Sequence, residues 1–122
     1  MGLLDFVLGR RGRRGNTPDP GLRVLDGLIG PGDWAIDVGA GYLRRLAELT
    51  GPTGRVLALD DRALLEAGPD PRVALIAIDA GCAAAAALFA RLVRLGWVEL
   101  DLGGARALFV PRRRARWARA PL

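Results

Sequence analysis

The sequence predicts an α/β domain whose parallel core strands are followed by a C-terminal antiparallel hairpin. Three observations carry that prediction. Short apolar runs of strand length end on or beside Asp37, Asp60 and Asp79; segments of helical periodicity stand between them; and turns rich in Gly and Pro separate the two kinds. Alternation of this kind folds into βαβ units with right-handed crossovers and helices on both faces, a three-layer sandwich. A length of 122 residues suits one domain.

Residues 1–20 read as a basic N-terminal arm, with Gly, Arg and Pro dominating 9–21. Leu22, Leu25, Leu28 and Ile29 recur at helical spacing and predict a short amphipathic helix over 21–29. Gly30-Pro31-Gly32-Asp33 forces a turn into the buried strand Trp34-Ala35-Ile36-Asp37-Val38. Gly39-Ala40-Gly41 breaks that strand, and Leu43, Leu46 and Leu49 mark a helix from Tyr42, stopped by Gly51-Pro52-Thr53-Gly54. A second strand covers Arg55 to Asp60, a short helix 63–67, and a third strand Val73 to Ile78, ending at Asp79. An Ala-rich helix over about Cys82–Leu95 follows, and Trp97–Leu102 and Arg106–Val110 flank Gly103-Gly104-Ala105 as a hairpin. The domain is thus expected over 21–110, with an Arg-rich tail over 111–122. The two exposed edges of such a sheet invite a homo-oligomer.

Composition narrows the chemistry. The chain is 51% hydrophobic and 25% charged with a net charge of +5, the profile of a globular protein. It has no Lys, His, Ser or Gln, so all 18 basic residues are Arg. That excludes a Ser–His triad, a Cys–His pair, a Walker-type phosphate loop and a Schiff-base lysine. One Cys without His makes neither a zinc nor an iron–sulfur site. Carboxylates, guanidiniums, Tyr42, three threonines, Cys82 and backbone amides remain, an inventory suited to a cofactor that brings its own reactivity.

The basicity is terminal, in Arg10-Arg11-Gly12-Arg13-Arg14 and in Arg112-Arg113-Arg114-Ala115-Arg116-Trp117-Ala118-Arg119. These runs read as solvated arms, with nucleic acid or an anionic membrane surface as the alternative. Trp117 among arginines is an arrangement met in single-strand contacts. Leu3 to Leu8 is too short for a signal segment, and Ala80 to Ala90 too short for a membrane span. With a lone Cys82, the expectation is a cytoplasmic protein in a reducing compartment.

The most informative feature is strand, glycine turn, helix, strand, acid: Ile36-Asp37-Val38-Gly39-Ala40-Gly41, then Val56-Leu57-Ala58-Leu59-Asp60. Gly39 and Gly41 let backbone approach a ligand closely, and the helix start that follows offers unpaired amides. Asp60 follows Asp37 at close to the roughly 20-residue offset at which an acid meets ribose hydroxyls in a Rossmann-type site. Position 44 is Arg, where a dinucleotide fingerprint has its third glycine. Nucleoside binding is the expectation, with a plain strand–helix turn as the alternative.

Pro31-Gly32-Asp33-Trp34-Ala35-Ile36-Asp37-Val38-Gly39-Ala40-Gly41 resembles the first motif of class I S-adenosylmethionine-dependent methyltransferases. Gly51-Pro52-Thr53-Gly54-Arg55-Val56 extends the resemblance to the FkbM-type members, as do Ile78-Asp79-Ala80-Gly81 and Gly96-Trp97 more weakly. The chain resembles a shortened form, with five strands where the family has about seven and less chain between Asp60 and Ile78. The resemblance implies a Rossmann-like fold, S-adenosylmethionine as cofactor, and methyl transfer to a small-molecule hydroxyl. A non-catalytic binding module and an RNA-directed methyltransferase or accessory protein are the rival readings.

By that resemblance Asp37 orients the methionine ammonium, and Gly39, Ala40 and Gly41 pass beside the methionine and ribose. Asp60 accepts the ribose hydroxyls, and Tyr42 either stacks on the adenosine or packs at the helix start. Asp79 faces the adenine amine or serves as catalytic base for the acceptor hydroxyl; capping of the next helix is the plainer role open to Asp37 and Asp79. Cys82 reads as a small, partly buried apolar residue, and no metal site is expected.

Overall fold

The computed structural model describes residues 20–100, 102 and 104–114. Residues 1–19 of the expected arm and 115–122 of the expected tail, Trp117 included, lie outside the described residues. The elements run α1 (Pro20–Leu28), β1 (Trp34–Val38), α2 (Leu43–Thr50), β2 (Arg55–Ala58), α3 (Asp61–Ala67), β3 (Val73–Asp79), α4 (Ala85–Arg94), β4 (Trp97–Leu100) and β5 (Arg106–Pro111).

The strands form one mixed sheet in the order β2-β1-β3-β5-β4. β1 pairs parallel with β2 and with β3, while β5 pairs antiparallel with both β3 and β4. The hairpin expected from Gly96-Trp97 onward is present, with its second strand on the inside. An extra residue, Ala74, bulges β3 where Trp34 pairs with Val73 and Ala35 with Leu75. Because β1 leads outward to β2 and the chain then crosses back to β3, the order in which strands are added reverses between the parallel neighbours β1 and β3. The carboxyl ends of strands at such a point frame a crevice.

Alternation along β5 shows how the core is divided. Leu108 and Val110 join a buried cluster with Leu25 and Leu28 of α1 and Leu46 of α2. Ala107 and Phe109 join a second cluster with Leu64 of α3 and Leu88 and Leu92 of α4. β3 reads as an unbroken buried run from Val73 to Ile78, as a strand covered on both sides must. Each fully buried Leu, Ile or Phe contributes about 1.5–3 kcal/mol relative to exposure.

Several boundaries differ from the sequence-based expectation: β2 stops at Ala58 and β4 at Leu100, short of the expected Asp60 and Leu102, and two helix starts move for a visible reason. α3 starts at Asp61 because Asp60 caps it, its Oδ1 accepting the Ala63 N–H at 2.7 Å. α4 starts at Ala85, later than the expected Cys82. The intervening N–H groups are directed elsewhere: Gly81 donates to Asp79 Oδ1, Cys82 to the Asp79 carbonyl and Ala84 to Asp61 Oδ2. The folded unit also extends past 110. β5 runs to Pro111, and Arg114 donates to Asp33 Oδ1 at 2.9 Å and to the Leu28 carbonyl at 2.9 Å, fastening the segment after β5 to the turn after α1. No described helix is long and apolar enough to cross a membrane.

Candidate functional site

At the carboxyl ends of β1, β2 and β3 lies a cavity of about 580 Å³. Its wall includes Asp37, Gly39, Gly41, Asp60, Asp61 and Asp79, with Leu43, Leu59 and Cys82 supplying apolar surface. The reversal of strand order therefore brings together the three aspartates singled out in the sequence, Asp37 and Asp79 at the ends of β1 and β3 and Asp60 two residues beyond β2.

Asp37 is 3% exposed. Its Oδ1 accepts the Ala40 N–H at 2.8 Å and its Oδ2 the Tyr42 N–H at 2.7 Å. The carboxylate thus braces the glycine turn and the start of α2. Gly39 and Gly41 adopt φ of +69° and +82°, which any side chain resists, so the turn needs glycine at both places. The Ala40 carbonyl is held from the far side by Arg106, whose Nε donates to it at 2.6 Å. Ala40 itself is buried and off the cavity wall.

Tyr42 takes the packing alternative. It is 2% exposed, belongs to the cluster beneath α1 and α2, and carries the Arg106 guanidinium over its ring at 5.3 Å. A ring so placed has no face to offer an adenosine, so stacking by Tyr42 is corrected to a structural role. Local spacing could not decide this, because Arg106 reaches the ring from β5.

Asp60 is exposed at the cavity rim, one oxygen capping α3. Asp79 ends β3 with Oδ1 on the Gly81 N–H at 2.9 Å, pairs in register with Arg106, and lines the cavity. Asp60 thus caps α3, whereas Asp79 closes a local turn and caps no helix, Ala84 standing at the N-cap of α4 without a side-chain hydrogen bond; each carboxylate keeps a second oxygen for a ligand.

Two wall residues were not foreseen from sequence. Asp61 accepts the Ala84 N–H at 2.8 Å and the Arg62 N–H at 2.9 Å. The Ala84 hydrogen bond, above all, holds its carboxyl below the ordinary carboxylate range. Its signal was the doubled acid Asp60-Asp61, of which one member caps the helix and the other bridges to α4. Cys82 is half-buried, and burial first, then the negative charge and hydrogen bond of Asp61, push its thiol up. A thiol held neutral in this way is a poor nucleophile, in keeping with the apolar reading of Cys82.

Among the described residues the wall is acidic, with four aspartates and no arginine. Such a cavity favours a cationic ligand or one rich in hydroxyls. Among the described residues no group of three or more acids, cysteines or histidines is set to hold a metal ion. The chain matches no protein-family model, no curated protein and no solved structure.

Proposed function

We propose that this chain binds S-adenosylmethionine in the aspartate-lined cavity and transfers its methyl group to a small-molecule hydroxyl, on a Rossmann-like three-layer scaffold. The observation that carries the reading is the cavity itself. It lies where the strand order reverses, has room for a nucleoside-sized ligand, and presents four aspartates with no cationic residue among the described residues of its wall. The residues suit that cofactor, which bears a positive sulfonium and a positive ammonium.

Asp60 is the residue placed to accept ribose hydroxyls, at the rim beyond β2. Asp37 supports the methionine end indirectly, by fixing Gly39 and Gly41 close to it. When bound, the cofactor supplies an electrophilic methyl group, so the chain's own work is to position the acceptor, exclude water and take up one proton. Asp79 is the base assigned to that proton, because it stands on the cavity wall at the end of the central strand. Cys82 and Leu59 form the apolar side against which the acceptor packs. The reducing cytoplasm, where Cys82 stays a thiol, is the setting this reading implies.

The test is methyl transfer from radiolabelled S-adenosylmethionine to a panel of small hydroxylated acceptors, with Asp79→Asn beside the parent protein. Transfer by the parent and its loss in the variant, with cofactor affinity kept, is the expected result. Cofactor binding without transfer to any acceptor would instead establish a non-catalytic binding module.

A further inference from the structure

A second cavity, of about 520 Å³, lies at the opposite end of the sheet. The turn after α3, the end of α4, the start of β4 and the end of β5 meet there, at the amino-terminal side of the parallel strands. Its character is the reverse of the first. Among the described residues Arg91, Arg112 and Arg113 stand on its wall and no acid does, while Pro69, Leu95 and Trp97 give it an apolar side. Asp70, between the lining residues Pro69 and Pro71, is already held by Arg72, with Oδ2 on a guanidinium nitrogen at 2.9 Å.

Arg91 is the unusual member. Its Nε is shut off from solvent and has no hydrogen-bond partner among the described residues. A buried donor of this kind is costly when left unmade, more so when the group is charged. Native structures rarely keep one without a ligand or another acceptor to meet it. A planar guanidinium with further N–H groups alongside is also the side chain best suited to grip a tetrahedral oxyanion by two bonds at once.

We infer that this cavity is a binding site for a small organic phosphate, its phosphoryl oxygens held by Arg91, Arg112 and Arg113 and its apolar body against Leu95, Pro69 and the edge of Trp97. The observations favour an organic ester over the free ion. Three arginines supply the charge, but the volume and the apolar side exceed what inorganic phosphate fills. The inference is independent of the methyl-transfer reading, since the two cavities share no residue.

The experiment is an amide and indole NMR titration of the full chain with phenyl phosphate, inorganic phosphate and the uncharged benzyl alcohol. Phenyl phosphate is expected to shift Gly68, Gly96 and the Trp97 indole saturably, leave Gly39 and Gly41 in place, and bind more weakly as salt rises. Inorganic phosphate is expected to bind at the same amides at least several-fold more weakly, and benzyl alcohol not to saturate. Arg91→Met should weaken phenyl phosphate about tenfold, the factor one lost charge-assisted hydrogen bond supplies. Should that variant fold poorly, the exposed pair Arg112→Gln and Arg113→Gln gives the second readout, with weakening expected in the double variant. Absence of saturable shifts at Gly68 and Gly96, or equal affinity for benzyl alcohol, would overturn the site. Equal affinity for inorganic phosphate would overturn the assignment of an organic body.

Discussion

Arg106 donates its Nε hydrogen to the carbonyl of Ala40 at 2.6 Å, which ties the inner strand of the hairpin to the glycine turn of the candidate site. The same guanidinium covers the ring of Tyr42, and Tyr42 in turn gives its N–H to Asp37. The turn is thus held from both sides, by an acid below and an arginine above. Arg106→Met is expected to cost about 1–2 kcal/mol of stability through the lost hydrogen bond and ring contact. Hydrogen exchange should report faster opening at Gly39 and Gly41 than at the amides of β3; equal protection in parent and variant would argue that Arg106 does not hold the turn.

Asp37→Asn preserves shape but replaces one of two acceptor oxygens with a donor. A donor placed against the Ala40 or Tyr42 N–H leaves both buried groups unsatisfied, so a loss of about 2–3 kcal/mol is expected in denaturant melts. Any effect on cofactor binding should follow the loss of the turn's order.

Gly54 admits no side chain. A Cβ there would stand 2.5 Å from both the Asp33 carbonyl oxygen and the Thr50 Cβ, where the turn before β1 crosses the turn after α2. The Arg55 N–H donates to that same Asp33 carbonyl, so the crossing sets the register of β1 against β2. Gly54→Ala is expected to destabilise by about 3 kcal/mol, the upper range for overpacking. A melt unchanged within error would contradict this close approach.

Ionisation gives two predictions of opposite sign. The side-chain hydrogen bond from Arg72, first of several causes, holds Asp70 down at about 2 from its ordinary 3.8. A carboxyl depressed on folding contributes stability that is present above its unfolded value and lost as pH falls through the folded one. Thermal stability should therefore drop between pH 3.8 and about 2, and Asp70→Asn should flatten that part of the profile. Cys82 is shifted the other way, so its contribution is present below its ordinary 9.0 and lost as pH rises through the folded value. Asp61→Asn removes the charge that helps keep the thiol neutral, and faster alkylation of Cys82 by iodoacetamide near pH 8 is the expected outcome.

The strand positions were legible because each strand is a short apolar run bounded by residues that cannot continue it. Trp34 to Val38 is the clearest case, with Gly32 before it and Gly39 after it. Asp37, Asp60 and Asp79 could be placed on one sheet edge from the same pattern, because strand-end residues of parallel strands gather on one side. Contacts that cross the chain were not legible. Neither Arg106 on the glycine turn nor Arg114 on Asp33 leaves any periodicity to read. The late start of α4 was hidden as well, since alanines favour helix strongly, while the side chains of Asp61 and Asp79 and the Asp79 carbonyl draw the local N–H groups away.

Isothermal titration of the folded chain with S-adenosylmethionine is the test of the proposal that the aspartate-lined cavity holds this cofactor. Saturable one-to-one binding, weakened about tenfold by Asp60→Ala through loss of a charged hydrogen-bond acceptor, is the predicted result. No heat of binding at millimolar cofactor with the protein folded, or an affinity that Asp60→Ala leaves unchanged, would contradict the account.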